Sequence, residues 1–510
     1  MKKNILKFAF ALLLLGKSIY TCAQSVTVTP NGITPASTMS YPRLSYESIL
    51  ALSNPQTGDI AYDLTFDCLR VYNGQQWVSV NRSSANKTPI ASTIDTPGSK
   101  SYDQGQGIAT DANGNIYITG FFGDTATFGN ITKISESFRC LFVAKYNKSG
   151  ILQWIQITGG TGQAYALDIG LDTYGNVIIT GYFFGTVSFN GSPVTASGTN
   201  CFIAKYTNSG SFQWVKTGTG GVYNKLALDN NNNIYITGTF MNTLTVDGIT
   251  KTSRGYNDLL LAKYDSNGNI KWVQTAGGNL DDGGNHLAID ANQNIYLTGY
   301  FSNTAYFNQL TKTSFGASDA FIARYSNDGN IQWVENFGGV GHDYAMSVAV
   351  DENNNVYCTG NFLYTVNFKG ITKTARGSTD IFILKLKNSR ELEWLQTIDG
   401  VGTDWVKSMS LSSDNTLYVT GYFTDILVLG NKTRLPVGEQ DAFVAKYNHK
   451  GNLYWAEIIS GSGSEEILDL AIDTNKNIYI TGFFRQIAQI NNINYTSAGN
   501  EDILIARLQM

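Results

Sequence analysis

Residues 111–120 read DANGNIYITG, and the closing Thr-Gly of that stretch decides the architecture. The pair recurs at Thr119, Thr180, Thr237, Thr298, Thr359, Thr420 and Thr481, in steps of 61, 57, 61, 61, 61 and 61 residues. A tryptophan trails six of the seven: Trp154, Trp214, Trp272, Trp333, Trp394 and Trp455. A fixed period of this length marks a repeat architecture, in which each unit buries its apolar faces against the next.

Each unit carries four short runs of β-branched and aromatic residues, bounded by Gly, Asn and Ser. In the second unit they read ALDIGLD, NVIITGYF, CFIAKYTNSG and SFQWVKTG. Runs such as IYITGFF are apolar on both faces, which suits sheets covered on both sides. No helical period competes. Four strands per unit at this period predict an all-β fold, a seven-bladed β-propeller of four-stranded blades starting near 104, 163, 222, 281, 342, 403 and 464.

Units such as GIATDANGNIYITG followed by LFVAKYNKSGILQW resemble the seven-bladed β-propeller repeat (SBBP type) of exported bacterial proteins. The likeness runs over residues 104–510. It implies the fold and, because that repeat is a structural unit, no shared chemistry. Blade 6 departs in its turn, SSDNT, and blade 2 has Ile178 where its sisters have Tyr.

The last unit stops after its third strand, at DILIARLQM. Residues 89–95, just ahead of the first unit, have strand character and are expected to supply the missing outer strand. Counting back from Asp111 by the Trp333-to-Asp351 spacing lands on Thr93. The propeller is thus expected to occupy 86–510. Ahead of it, 25–85 reads as a small β module ending in the linker NRSSANK at 81–87, with P-x-x-G…YD…YNG…W resembling short segments of bacterial surface proteins and phage tail fibres.

Residues 1–24 have the basic, apolar and small-residue parts of a secretory signal. The lipoprotein alternative, anchored at Cys22, is disfavoured by the Ile-Tyr-Thr that precedes it. No later stretch is long enough to span a membrane as a helix. Net charge is −4, and removing Lys2, Lys3, Lys7 and Lys17 takes it to −4 − 4 = −8. A mildly acidic chain without a basic cluster is a poor match for nucleic acid. The localisation expected is secreted or cell surface. Cys68, Cys140, Cys201 and Cys358 match no zinc spacing, and the offset between Cys140 and Cys201 disfavours a bridge.

Asp-x-Asn-Gly-Asn also opens a calcium loop, but the bidentate acid that closes such a loop is absent, Phe122 standing in its place. The sister turns DTYGN, DNNNN, DANQN, DENNN, SSDNT and DTNKN keep small polar residues rather than ligands, as a tight strand connection requires. YSNDGNIQW (325–333) approaches the Ser-x-Asp box of sialidases, itself a fold-bracing turn. The three histidines, His286, His342 and His449, share no ligand spacing, and no nucleophile or phosphate motif occurs. No catalytic residue, metal or cofactor is assigned. Asp258, Asp319, Asp380, Asp441 and Asp502, repeated before the third strand, are expected to cap.

Function is therefore sought where the repeats differ. Some four residues before the Asp that ends each first strand stand Gln106, Asp168, Lys225, His286, Ser347, Ser408 and Asp469, expected to line one channel mouth. Small residues follow, Ala109 and Gly170 among them. The loops leading into these strands add Tyr102, Tyr165, Tyr223, Asp282, Asp343, Tyr344, Asp404 and Trp405. Aromatic rings beside carboxylates suit stacking on sugars or gripping an extended chain. The reading is a binding or scaffolding protein that holds a partner protein or a polysaccharide at the cell envelope. Two alternatives are a carbohydrate lyase or hydrolase around Asp168, His286 and Asp469, and a purely structural appendage.

Overall fold

The computed structural model describes residues 26–29, 32–35, 43–63, 68–79, 90–430 and 432–509. The leader at 1–24, with Cys22, and the linker at 81–87 lie outside the described residues. The chain divides into two units, Met1–Ala85 and Asn86–Met510.

In the smaller unit a hairpin, Val26–Thr29 with Gly32–Pro35, accompanies a four-stranded sheet. That sheet runs Arg43–Leu44, Ile60–Asp63, Cys68–Tyr72 and Trp77–Ser79, its first pair parallel. Ile49, Ala61 and Trp77 form its buried centre.

The larger unit repeats one pattern. In blade 1 the strands Gln104–Thr110, Ile116–Phe122, Cys140–Tyr146 and Leu152–Gly159 pair antiparallel in that order. The described strands group into seven such four-stranded sheets, and their first strands neighbour one another in a closed cycle. Apolar clusters form between successive sheets: Ile116 and Ile118 of the first lie with Tyr479, Ile503 and Ile505 of the last. This is why IYITGFF is apolar on both faces and buried at all seven positions. Each large side chain so buried stabilises by about 1.5–3 kcal/mol.

Thr-Gly recurs for two reasons. The hydroxyl of Thr119 donates to the carbonyl of Phe142 at 2.7 Å, tying second strand to third, and Thr180, Thr237, Thr359, Thr420 and Thr481 repeat the bond. The glycine makes room: a Cβ on Gly120 would stand 2.0 Å from the carbonyl oxygen of Gln104, and the other six glycines meet a first-strand carbonyl as closely. That carbonyl protrudes because every first strand carries a β-bulge at this level.

The polar corner is a backbone-bonded turn. Asp111 Oδ1 accepts from the N–H groups of Asn113 and Asn115, and Oδ2 from Asn115 Nδ2 and Tyr117. The fourth residue is left-handed in all seven copies, from Gly114 (φ 77°) to Lys476 (φ 64°). At most corners a cation from the third strand sits over the Tyr, as Lys145 does over Tyr117. Blade 2 lacks that ring, and there Lys205 reaches Asp172 directly at 2.9 Å.

Two features extend the sequence reading. Each unit holds a further hairpin between its second and third strands, such as Thr125–Phe128 with Ile131–Ile134 in blade 1. From blade 2 onward this hairpin bonds the outer strand of the preceding blade, as Asn367 does with Gly338. The outer-strand tryptophans reach the other way, Trp154, Trp272 and Trp394 donating to carbonyls in the next blade's turn.

Ile90–Asp95 pairs antiparallel with Asp502–Gln509 as the outer strand of the last sheet. Ser92, one residue before the counted position, stands opposite Arg507, because the register shift here falls between Ile505 and Ala506. Asp95 also accepts from Tyr146 at 2.7 Å and from Gly129 N–H at 2.7 Å, joining this strand to blade 1.

Candidate functional site

The bulges decide which side chains meet on the axis. Opposite the seven Thr of the Thr-Gly marks stand Gly107, Asp168, Lys225, His286, Ser347, Ser408 and Asp469. Gln106 is therefore not a member of this tier. It is the extra residue of the blade 1 bulge, and its amide donates to Gln104 instead.

The remaining polar side chains meet, and they form a floor rather than a mouth. Lys225 Nζ lies 3.0 Å from Asp168 Oδ1 and 3.3 Å from Asp469 Oδ2, bridging blades 2, 3 and 7 across the ring. Ser408 Oγ donates to Asp469 Oδ1 at 2.7 Å. The N–H of Leu226 bonds the other oxygen of Asp168, and that of Ile108 bonds Asp469 Oδ2, the oxygen Lys225 also approaches. Asp168 and Asp469 are only 6% and 7% exposed, and Ser347 is fully buried. Burial pushes the Asp168 carboxyl up to about 6 despite the Lys225 ammonium. For Lys225 burial acts downward, but the two carboxylates outweigh it and hold the ammonium above its usual range. Burial, then Lys225, pulls His286 down to about 3, so its imidazole is neutral, with Nδ1 unpartnered.

One tier nearer the loops the channel-facing residues are Gln104, Tyr165, Val222, Gly283, Tyr344, Trp405 and Glu466. The first-strand pattern alternates, so their immediate neighbours point between blades. Tyr223 is such a neighbour: it is 1% exposed, and its hydroxyl lies 2.5 Å from that of Tyr264. Asp282, Asp343 and Asp404 are likewise buried, which removes them from direct contact with a ligand. Asp282 accepts from Gly278 and Ser302 N–H groups, and Asp343 from Gly339 and Leu363. Burial lifts their carboxyls to about 7 each, and that of Asp404, both of whose oxygens lack a partner, to about 8.

What the mouth presents is aromatic. Tyr344 lies 5.0 Å from Tyr300 and 5.8 Å from Trp405, forming an arc over blades 4 to 6. A second arc covers blades 1 and 2, where Tyr165 stacks on Tyr182 at 4.6 Å and meets Phe121 at 5.2 Å. Tyr102 is 36% exposed beside it. Tyr182, Tyr300 and Tyr422, absent from the sequence reading, all stand immediately after a Thr-Gly mark. The variation at that one position was the available signal.

The beta-propeller repeat family matches residues 98–120. The fold of the larger unit is a β-propeller. The propeller protein is 24% identical over 499 residues to an uncharacterized WD repeat-containing protein of Acanthamoeba polyphaga mimivirus, covering 77% of this chain and 36% of that one. It is 27% identical over 123 residues to the regulatory protein FlaEY of Caulobacter vibrioides, covering 22% of this chain and 13% of that one. The chain thus spans about a third of the first relative and about an eighth of the second. Among solved structures, the polysaccharide lyase Uly1 is similar at a TM-score of 0.40 and 10% identity, over 80% of this propeller chain and 90% of its own. A likeness at that level carries no weight for function. No helix among the described residues is long and apolar enough to cross a membrane.

Proposed function

We propose that this chain is an exported binding protein, and that the loop face around its channel holds a partner protein or a polysaccharide at the cell envelope. The observation that carries this reading is the aromatic rim of Tyr344, Trp405 and Tyr182 above a floor closed by Asp168, Lys225 and Asp469. Flat half-buried rings on a rigid scaffold offer contact area at small entropic cost. In this reading residues 1–24 direct export, the module at 25–85 attaches or positions the ring, and no cofactor takes part.

A glycan array and a cell-surface retention assay, run on wild type and on Tyr344→Ala/Trp405→Ala, test it. Loss of binding with an unchanged melting temperature is expected. Unchanged binding and retention in the double variant overturn the reading.

A carbohydrate lyase or hydrolase is the second reading, favoured by the convergence of Asp168, His286 and Asp469 on one tier. Acid–base catalysis needs such groups within reach of one bound sugar. Here both acids are committed to Lys225 and the imidazole of His286 is held neutral, which weighs toward binding. Turnover of any polymer, abolished by Asp469→Asn, would reverse that preference.

A further inference from the structure

Three cations stand at the aromatic mouth, and two are committed to acids. Lys407 pairs with Glu466 at 3.0 Å and Arg485 with Glu501 at 2.5 Å. The third, Arg139, makes no ion pair among the described residues. It precedes the third strand of blade 1, where the other blades carry Thr199, Asn257, Ser318, Thr379, Gln440 and Glu501. It is therefore the one cation of that circle.

Rings surround it. Its guanidinium carbon lies 4.8 Å from the centre of Phe121, 5.2 Å from Tyr165, 5.6 Å from Phe138 and 6.0 Å from Tyr102. Nε is buried without a hydrogen-bond partner, while the side chain as a whole is half-buried. Aromatic faces stabilise a guanidinium above and below its plane but accept nothing at its N–H edge. The free edge is a planar fork that matches a carboxylate in bidentate fashion.

What stands beside the fork narrows the ligand. Tyr182, half-buried and backed within 9° of parallel by the buried Tyr165, is a held ring of the kind that packs against the C–H face of a pyranose. Phe138 is 60% exposed, extending the apolar surface outward. Amide groups adjoin the stack: the Tyr165 hydroxyl donates to Gln163 Oε1 at 2.9 Å, and Gln104 and Gln106 lie on the neighbouring strand. Stacking surface, amides and one unpaired guanidinium together suit a ring that bears both hydroxyls and a carboxylate. We propose that Arg139, braced by the buried rings of Phe121 and Tyr165, forms with Tyr182 and the exposed Phe138 a subsite for a uronate residue of an acidic polysaccharide. The assignment rests on the binding reading of the mouth and names its ligand class.

Oligogalacturonate, its methyl ester and poly-L-glutamate, titrated into the full chain by calorimetry, separate the possibilities. The expected result is binding of oligogalacturonate with the methyl ester at least about ten-fold weaker, the loss of one charge-assisted bidentate contact. Arg139→Gln should weaken oligogalacturonate by about the same factor and leave the ester unchanged. Arg139→Lys keeps the charge but not the fork and should fall between, at an unaltered melting temperature. Equal affinity for acid and ester, or indifference to Arg139→Gln, overturns the subsite, and the mouth reading then stands or falls on the Tyr344/Trp405 variant alone. Failure of wild type to bind oligogalacturonate overturns the uronate assignment outright. Poly-L-glutamate binding as tightly, with the same dependence on Arg139, replaces the sugar with an acidic protein.

Discussion

Replacing Lys225 by Met tests the axial floor. Two carboxylates lie 3.0 and 3.3 Å from its ammonium, each contact worth roughly 5 kcal/mol gross at an effective dielectric of about 20. Taking three charges from water costs several kcal/mol per ion, so the triad as a whole is close to neutral. Removing the cation alone is different, because both acids remain buried. A loss of about 3–5 kcal/mol at pH 7 is expected from denaturant unfolding. The pH dependence gives the sharper check. The Asp168 carboxyl sits at about 6 in the folded chain, above its ordinary 3.8. The folded state thus holds that proton more tightly than the unfolded state. The stability from that proton is present below about pH 4 and is lost as pH rises through about 6. In the variant Asp168 takes up its proton still more readily, so the deficit should shrink by about half or more between pH 7 and pH 5. NMR of His286 supplies an independent readout: burial, then the Lys225 ammonium, hold its imidazole down, so without Lys225 it should titrate at a higher pH than in wild type. A deficit under about 1 kcal/mol at pH 7, or one equally large at pH 5, would refute the account.

Trimming the chain to begin at residue 97 removes the outer strand of the last sheet and both bonds of Asp95 to blade 1. A lower melting temperature and loss of monomer by light scattering are expected, since Asp502–Gln509 becomes an unpaired edge; an unaltered monomer counts against the seam. Asp404→Asn relieves a buried carboxyl raised to about 8, whose contribution to wild-type stability declines as pH climbs from about 4 toward 8. The variant should be more stable than wild type by about 1–3 kcal/mol at pH 8.5 and no more stable at pH 5, measured by denaturant unfolding.

The parts of the fold set by short-range chemistry were plain in the letters. Thr119 and Gly120 each have one job, a hydroxyl bond and a vacancy for a carbonyl, and neither tolerates much else. The additional hairpins escaped notice because TATF and ITKI are four-residue strands with no apolar run to advertise them. Reading the site was harder for a different reason. Side chains alternate along a strand, so a one-residue offset changes the face: Gln106 adjoins Gly107, the true counterpart of Asp168, and Tyr223 adjoins Val222, the counterpart of Tyr165. Buried acids such as Asp343 resemble exposed ones in composition, and only their backbone bonds show the difference. Arg139 carries no signal in the sequence, because one cation in a loop means little without the four rings the fold places around it.

The sheet completed by Ile90–Asp95 sets the repeat of the gene one strand out of phase with the blade it encodes. A duplicated or deleted stretch of 61 residues, cut at any matching pair of points, therefore leaves the closing sheet with both its contributors. The ring can gain or lose a whole blade without a new closing device being invented. Lineages carrying this repeat are accordingly expected to vary in blade number more readily than in the sequence of the seam.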